Sequence, residues 1–197
     1  MNTVGVVGLG DMGSGLAKNL IKNNFFVTGA DLLPDRQRAF LEMGGQLCNS
    51  PSEVGRDASA VFIMVMTGEE VKNVIFGDDG LLRSMSKGSA IILSATIKPQ
   101  EAREIGALMA GSGVDLIDTP VSGGFPGAQS GSLTLMAAAP DPTIDTFLPY
   151  LKAISANIHR VGDKPGDGQT VKACLQSLIG AQFSATFEAA ALAAKAG

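Results

Sequence analysis

Gly8, Leu9, Gly10, Asp11, Met12 and Gly13 form a Gly-x-Gly-x-x-Gly run, placed directly after the β-branched stretch 4–7. The window 12–22 follows, with Leu16, Ala17, Leu20 and Ile21 at helical spacing. Strand, tight turn and helix in this order leave few folds open, because each glycine has its own task. Gly8 permits the turn, Gly10 lets backbone approach a ligand closely, and Gly13 lets helix and strand pack together. A helix N-terminus here offers free N–H donors to phosphate oxygens. Asp31, 18 positions beyond Gly13, ends the next strand-like run, 25–30. Its carboxylate can accept from both hydroxyls of an adenosine ribose and would repel a 2′-phosphate. The pattern predicts a dinucleotide site, with NAD favoured over NADP. Arg36 and Arg38, shortly after the acid, stand where a basic residue can receive a 2′-phosphate, but read first as helix surface charges, and Asp11 as a solvent-facing or helix-capping residue.

The alternation continues along the chain. Residues 60–66 and 89–93 are uninterrupted apolar runs, as expected of parallel strands covered on both faces, and 114–117 is another. Helical windows separate them at 35–43, opened by Pro34 and Asp35 and stopped by Gly44-Gly45, at 69–75 and at 99–109. A strand at 132–138, a helix at 142–154 and a last strand at 157–161 follow, after which 166–168 lead into one long helix. The fold class is α/β: a doubly wound, Rossmann-type, mostly parallel sheet followed by the start of a long C-terminal helix. Residues 1–164 read as a dinucleotide-binding domain and 165–197 as the first part of a helical one.

A hydrophobic share of 45% with 17% charged residues supplies a core and excludes general disorder. The net charge of −4, with no basic block and few aromatics, excludes nucleic acid as the expected partner and leaves a small molecule. Cys48 and Cys174 have neither metal spacing nor a paired framework, so no metal is expected and both read as reduced, buried residues. The stretch 177–194 draws its apolarity from alanine and is interrupted by Gln182 and Glu188, so it reads as a buried soluble helix and no membrane is expected. Without a basic leader, the cytoplasm is the expected location. His159, beside Arg160, reads as a surface residue.

Four separated segments resemble the β-hydroxyacid dehydrogenase family, which includes 3-hydroxyisobutyrate and L-threonate dehydrogenases: the loop 8–13, Ser94-Ala95-Thr96, Asp118-Thr119-Pro120-Val121-Ser122-Gly123-Gly124, and Gly166-Asp167-Gly168-Gln169-Thr170-Val171-Lys172. The resemblance implies that Lys172 is the catalytic residue, exchanging a proton with the substrate hydroxyl. It implies that Ser122, Gly123 and Gly124 hold the substrate carboxylate, and that Thr96 lies at the nicotinamide ribose. Met66 and Thr67, ending the preceding strand, are expected to line the cofactor cleft. Gln176, four residues after Lys172, stands where the family often has Asn, keeps the same amide groups, and resembles the threonate-type branch. Thr67 stands where proline is frequent, and Ala137-Ala138 where glycines are; neither change removes a reacting group.

The activity so implied is NAD-dependent oxidation of a small 3-hydroxy acid to the 3-oxo acid, on a small carboxylate substrate. The alternatives are an NADPH-dependent semialdehyde or glyoxylate reductase and a non-catalytic NAD-binding remnant. Family members continue past this point as a helical domain that pairs subunits. The resemblance therefore implies a chain lacking most of that domain, and a homo-oligomer when it is present.

Overall fold

A computed structural model describes residues 3–197. The first half alternates strand and helix without exception: β1 (Thr3–Val7), α1 (Asp11–Lys22), β2 (Phe26–Ala30), α2 (Pro34–Glu42), β3 (Gln46–Leu47), α3 (Pro51–Gly55), β4 (Ala60–Ile63), α4 (Gly68–Phe76), a 3₁₀ turn (Leu81–Arg83), β5 (Ala90–Leu93), α5 (Pro99–Met109) and β6 (Asp115–Asp118). The strands lie in the order β3-β2-β1-β4-β5-β6, all parallel. Every residue of β4 and β5 is buried, which explains their uninterrupted apolar runs. Alternate residues feed two cores. Val4, Val6, Phe62 and Ile92 meet Leu16 and Leu20 of α1 on one face, while Val61, Ile63, Ile91 and Leu93 meet Val71, Ile75 and Ile105 of α4 and α5 on the other.

Beyond β6 the sheet changes character. β7 (Val121–Ser122), α6 (Gly124–Ser130), β8 (Leu133–Ala138), α7 (Asp141–Ile154), β9 (Ser155–Gly162) and α8 (Asp167–Ala196) complete the chain. β8 runs antiparallel to β6, touching it only at Asp118–Ala138, and continues in the same register along β7 through Val121–Leu135 and Ser122–Thr134. β9 runs parallel to β8 on its other side. β7 and most of β8 therefore extend past the end of β6 as a raised wall. α6 braces this wall by crossing α1 in close contact. A Cβ on Gly15 would fall 2.7 Å from the Ala128 carbonyl, and the buried Asn19 amide donates to the Gly15 and Ala128 carbonyls at 2.8 Å.

Several expectations need revision. The strand expected at 60–66 ends at Ile63, because Thr67 caps α4 and turns the chain. β3 and α3 are too short to show periodicity, and Gly124-Phe125-Pro126-Gly127 opens the short helix α6, which the sequence reading did not place. The stretch 177–194 is not buried: α8 packs through its first turn, where Gly168 and Gln169 are buried, and then projects with Leu178, Phe183, Phe187 and Leu192 exposed. Cys174, on that helix, is exposed, and Cys48 is half-buried, where burial raises its thiol pKa. Among the described residues no helix is long and apolar enough to cross a membrane.

Candidate functional site

Parallel strands finish at the same edge, so β1, β2, β4, β5 and β6 bring residues 8–13, Asp31, 64–67, 94–96 and Asp118 to one rim. β2 and β4 flank β1 on opposite sides, which makes the end of β1 the switch point where open α/β sheets form a crevice.

Backbone geometry dictates the glycines of the loop. Gly8 has φ +91, and a Cβ there would strike the Met64 carbonyl oxygen; a Cβ on Gly13 would strike the carbonyl oxygen of Gly8. Gly10 precedes α1 without any side-chain cap, and Asp11, its first residue, is exposed. The first amides of α1 are thus uncapped, and the loop is stripped of side chains where a phosphate would approach. This suits a dinucleotide pyrophosphate.

Asp31 is more engaged than its spacing implies. Its side chain is 5% exposed, and it accepts from the Leu9 amide at 2.7 Å, the Leu33 amide at 2.9 Å and Arg36 Nη1 at 3.5 Å. A carboxylate offers about four acceptor positions, so two ribose hydroxyls could be served only if Arg36 moved away. Arg36 is not simply a surface charge. Its guanidinium carbon lies 3.3 Å from where a Gly10 Cβ would stand, over the glycine loop. Arg38 pairs with Asp35 at the exposed surface.

Across the crevice, Met66 is 83% exposed, and Thr67 accepts from the Glu70 amide at 3.1 Å while Glu70 accepts from the Met66 amide at 2.8 Å. Thr96 is exposed at the rim. Ser94 and Thr119 at adjacent strand ends are buried, and neither hydroxyl has a hydrogen-bond partner among the described residues. On the wall, Ser122 is half-buried, and Gly123 and Gly124 have φ +126 and +57. Such left-handed backbone bends a chain so that amides can converge on an anion.

Lys172 and Gln176 lie one turn apart on α8. Lys172 is half-buried, no carboxylate pairs with it among the described residues, and desolvation lowers its pKa. Gln176 is exposed. His159 is exposed on β9, and no metal-holding cluster occurs among the described residues.

Two functional candidates escape the sequence reading. Asp118, fully buried, accepts from the Gly166 amide at 2.7 Å, the Gln169 amide at 3.2 Å and Gln169 Nε2 at 3.0 Å. Burial pushes its carboxyl up, and these bonds draw it back. The available signal was an acid closing an apolar strand before Thr-Pro, paired with an amide inside a glycine segment far along the chain.

Residues 3–162 match the family described as the NAD binding domain of 6-phosphogluconate dehydrogenase. Over 195 residues the chain is 36% identical to an L-threonate dehydrogenase of Escherichia coli O6:H1, covering 98% of this chain and 65% of that protein. It is 35% identical over 197 residues to a 3-hydroxyisobutyrate dehydrogenase of Pseudomonas aeruginosa, covering 100% of this chain and 66% of that one. A crystal structure of 3-hydroxyisobutyrate dehydrogenase from Salmonella typhimurium superposes with a TM-score of 0.93 at 37% identity, covering 100% of this chain and 69% of that one. The chain thus spans about 65% of the length of the curated relatives it matches.

Proposed function

Because the chain belongs to the family of the NAD binding domain of 6-phosphogluconate dehydrogenase, we propose that it serves an NAD-dependent dehydrogenase oxidising a small 3-hydroxy acid, threonate- or 3-hydroxyisobutyrate-like, to the 3-oxo acid. The observation that carries this reading is Lys172: an unpaired, half-buried lysine with a lowered pKa, at the start of the helix packed against the strand ends. A titratable group perturbed by desolvation at a cleft is a candidate for chemistry.

The nicotinamide, when bound, takes up hydride from the hydroxyl-bearing carbon. The chain supplies the rest. Gly8, Leu9, Gly10, Asp11, Met12 and Gly13 hold the pyrophosphate with main-chain amides, Asp31 holds the adenosine ribose, Met66 and Thr67 line the cleft, and Thr96 meets the second ribose. Ser122, Gly123 and Gly124 take the substrate carboxylate, and Gln176 bonds on the hydroxyl side. Lys172 in its neutral form accepts the hydroxyl proton; desolvation raises the neutral fraction near pH 7 and makes that transfer easier. On the same reading, residues 1–164 form the dinucleotide domain, 165–197 open the helical domain through which subunits pair, and the enzyme acts in the cytoplasm on a small carboxylate, with no nucleic acid or membrane as partner.

Arg36 supports a second reading. Its guanidinium over Gly10 could receive a 2′-phosphate if it swung from Asp31, which would favour an NADPH-dependent semialdehyde or glyoxylate reductase. Titrating NAD⁺ and NADP⁺ against the chain and against Arg36→Ala separates the two. The NAD reading expects tighter NAD⁺ binding in both proteins; a preference for NADP⁺ that Arg36→Ala abolishes reverses it. Incubation with NAD⁺ and a panel of 3-hydroxy acids, followed by NADH absorbance, tests the reaction itself. A chain that binds neither dinucleotide sinks the proposal.

A further inference from the structure

α8 has no cap of its own. Its N-cap residue is Gly166, with φ +96 and no side chain to accept from the first turn. The acceptor comes instead from another strand: Asp118 Oδ2 takes the amides of Gly166 and Gln169, a carboxylate at the positive end of a 30-residue helix. The first turn is wedged in place besides. A Cβ on Gly168 would lie 2.5 Å from the Met136 carbonyl oxygen and 2.9 Å from that of Asp118.

Gln169 then ties this turn to the segment that follows β5. Its Nε2 donates to Asp118 Oδ1 and to the Ala95 carbonyl, both at 3.0 Å, and its Oε1 accepts from the Ile97 amide at 3.1 Å. The two backbone partners flank Thr96. One side-chain amide, with both donors and its oxygen engaged, therefore grips the main chain on either side of Thr96, and it stands three residues before Lys172 on the same helix. No shorter or charged residue meets this pattern. Asn falls one methylene short, and Glu would set a carboxylate against Asp118 and the Ala95 carbonyl.

We propose that Asp118 and Gln169 are positioning residues which fix Lys172 relative to Thr96, so that the proton-accepting amine and the cofactor-side strand end are held at one spacing by a single buried clamp. This rests on the reading of Lys172 as the proton-transfer residue. The clamp acts through the helix: Lys172 is tuned by desolvation alone, without a charge partner. Loosening the first turn of α8 should admit water to the amine and return its titration toward that of an ordinary lysine.

The test is the pH dependence of Lys172 acylation by trace acetic anhydride, read by peptide mass spectrometry on the 197-residue chain. Gln169→Met removes the amide at similar volume. Gln169→Asn keeps the interior polar but cannot span the gap, and it serves if the Met variant does not fold. Leu81→Ala, on the 3₁₀ turn packed against α3 and α4, is the control for general destabilisation. The clamp predicts that the Gln169 variants raise the acylation midpoint and speed amide exchange in 167–172, while Leu81→Ala moves neither. An unchanged midpoint in a folded Gln169 variant, or an equal shift in Leu81→Ala, overturns it. Failure of the catalytic reading shows elsewhere, as turnover retained in Lys172→Ala.

Discussion

The Leu9 amide donates to Asp31 Oδ2 at 2.7 Å, so the glycine loop after β1 and the acid after β2 are one unit although 22 residues separate them. Asp31 orders the loop and, on the proposed reading, presents charge to the adenosine ribose. The two roles separate on mutation. Asp31→Asn keeps one acceptor and removes the charge that repels a 2′-phosphate; we expect the NAD-to-NADP preference to fall at least tenfold, about 1.4 kcal/mol. Asp31→Ala also frees the Leu9 amide and should weaken both cofactors. Fluorescence titration with each dinucleotide measures this, and an unaltered ratio in Asp31→Asn would mean the carboxylate does not face the ribose.

Gly13→Ala drives a methyl group into the carbonyl oxygen of Gly8. Nothing flexible stands there to yield, so the loop must open. Calorimetric binding should show cofactor affinity down by more than about tenfold, with a lower Tm. Gly44→Ala provides the contrast: its φ of +89 strains the variant too, but open space surrounds the added methyl, and cofactor affinity should hold.

Lys172 carries a pH signature. Its folded pKa lies below the unfolded value of about 10.4, because burial disfavours the ammonium. The folded state is therefore penalised in full below the folded pKa, and the penalty fades as pH rises to the unfolded one. Lys172→Met should raise Tm at pH 7, with a gain that shrinks toward pH ~10, and leave dinucleotide affinity nearly unchanged. In an assay that shows turnover, kcat should drop about 10²- to 10⁴-fold. A Tm gain that grows with pH would contradict the desolvation account.

Along α8, protection should fall sharply. Its first turn is buried and tied to Asp118, whereas the stacked pair Phe183 and Phe187, with ring centroids 6.0 Å apart, is exposed. Hydrogen exchange should be slow over 167–172 and fast over 178–196 in dilute solution. Uniform protection at low concentration would show that something covers the helix.

How much of this was legible beforehand follows from where each signal resides. The loop 8–13, Asp31 and the buried strands were readable because glycine geometry and local periodicity live in consecutive residues. Lys172 rested on a resemblance, since one lysine on an apolar helix has no local mark of chemistry. The reversal of β8 was illegible: an antiparallel and a parallel buried strand share the same apolar run. The clamp was hidden for a related reason. Asp118 and Gln169 lie 51 residues apart, and neither neighbourhood shows that a carboxylate from one caps a helix from the other. The reach of Arg36, an exposed helix residue, over Gly10 was hidden because an arginine on a polar helix looks alike whether or not it extends to a glycine loop.

Where α1 crosses α6, Gly15 lies against the backbone of Ala128 and Asn19 stitches the two together. The interval between the loop at 8–13 and the loop at 122–124 is thereby set by main chain meeting main chain, as a gauge block sets a gap. Gly15, Asn19 and Ala128 therefore hold a veto over that interval. Any ligand that bridges the two loops therefore meets a gap fixed by backbone contact rather than by the packing of flexible side chains.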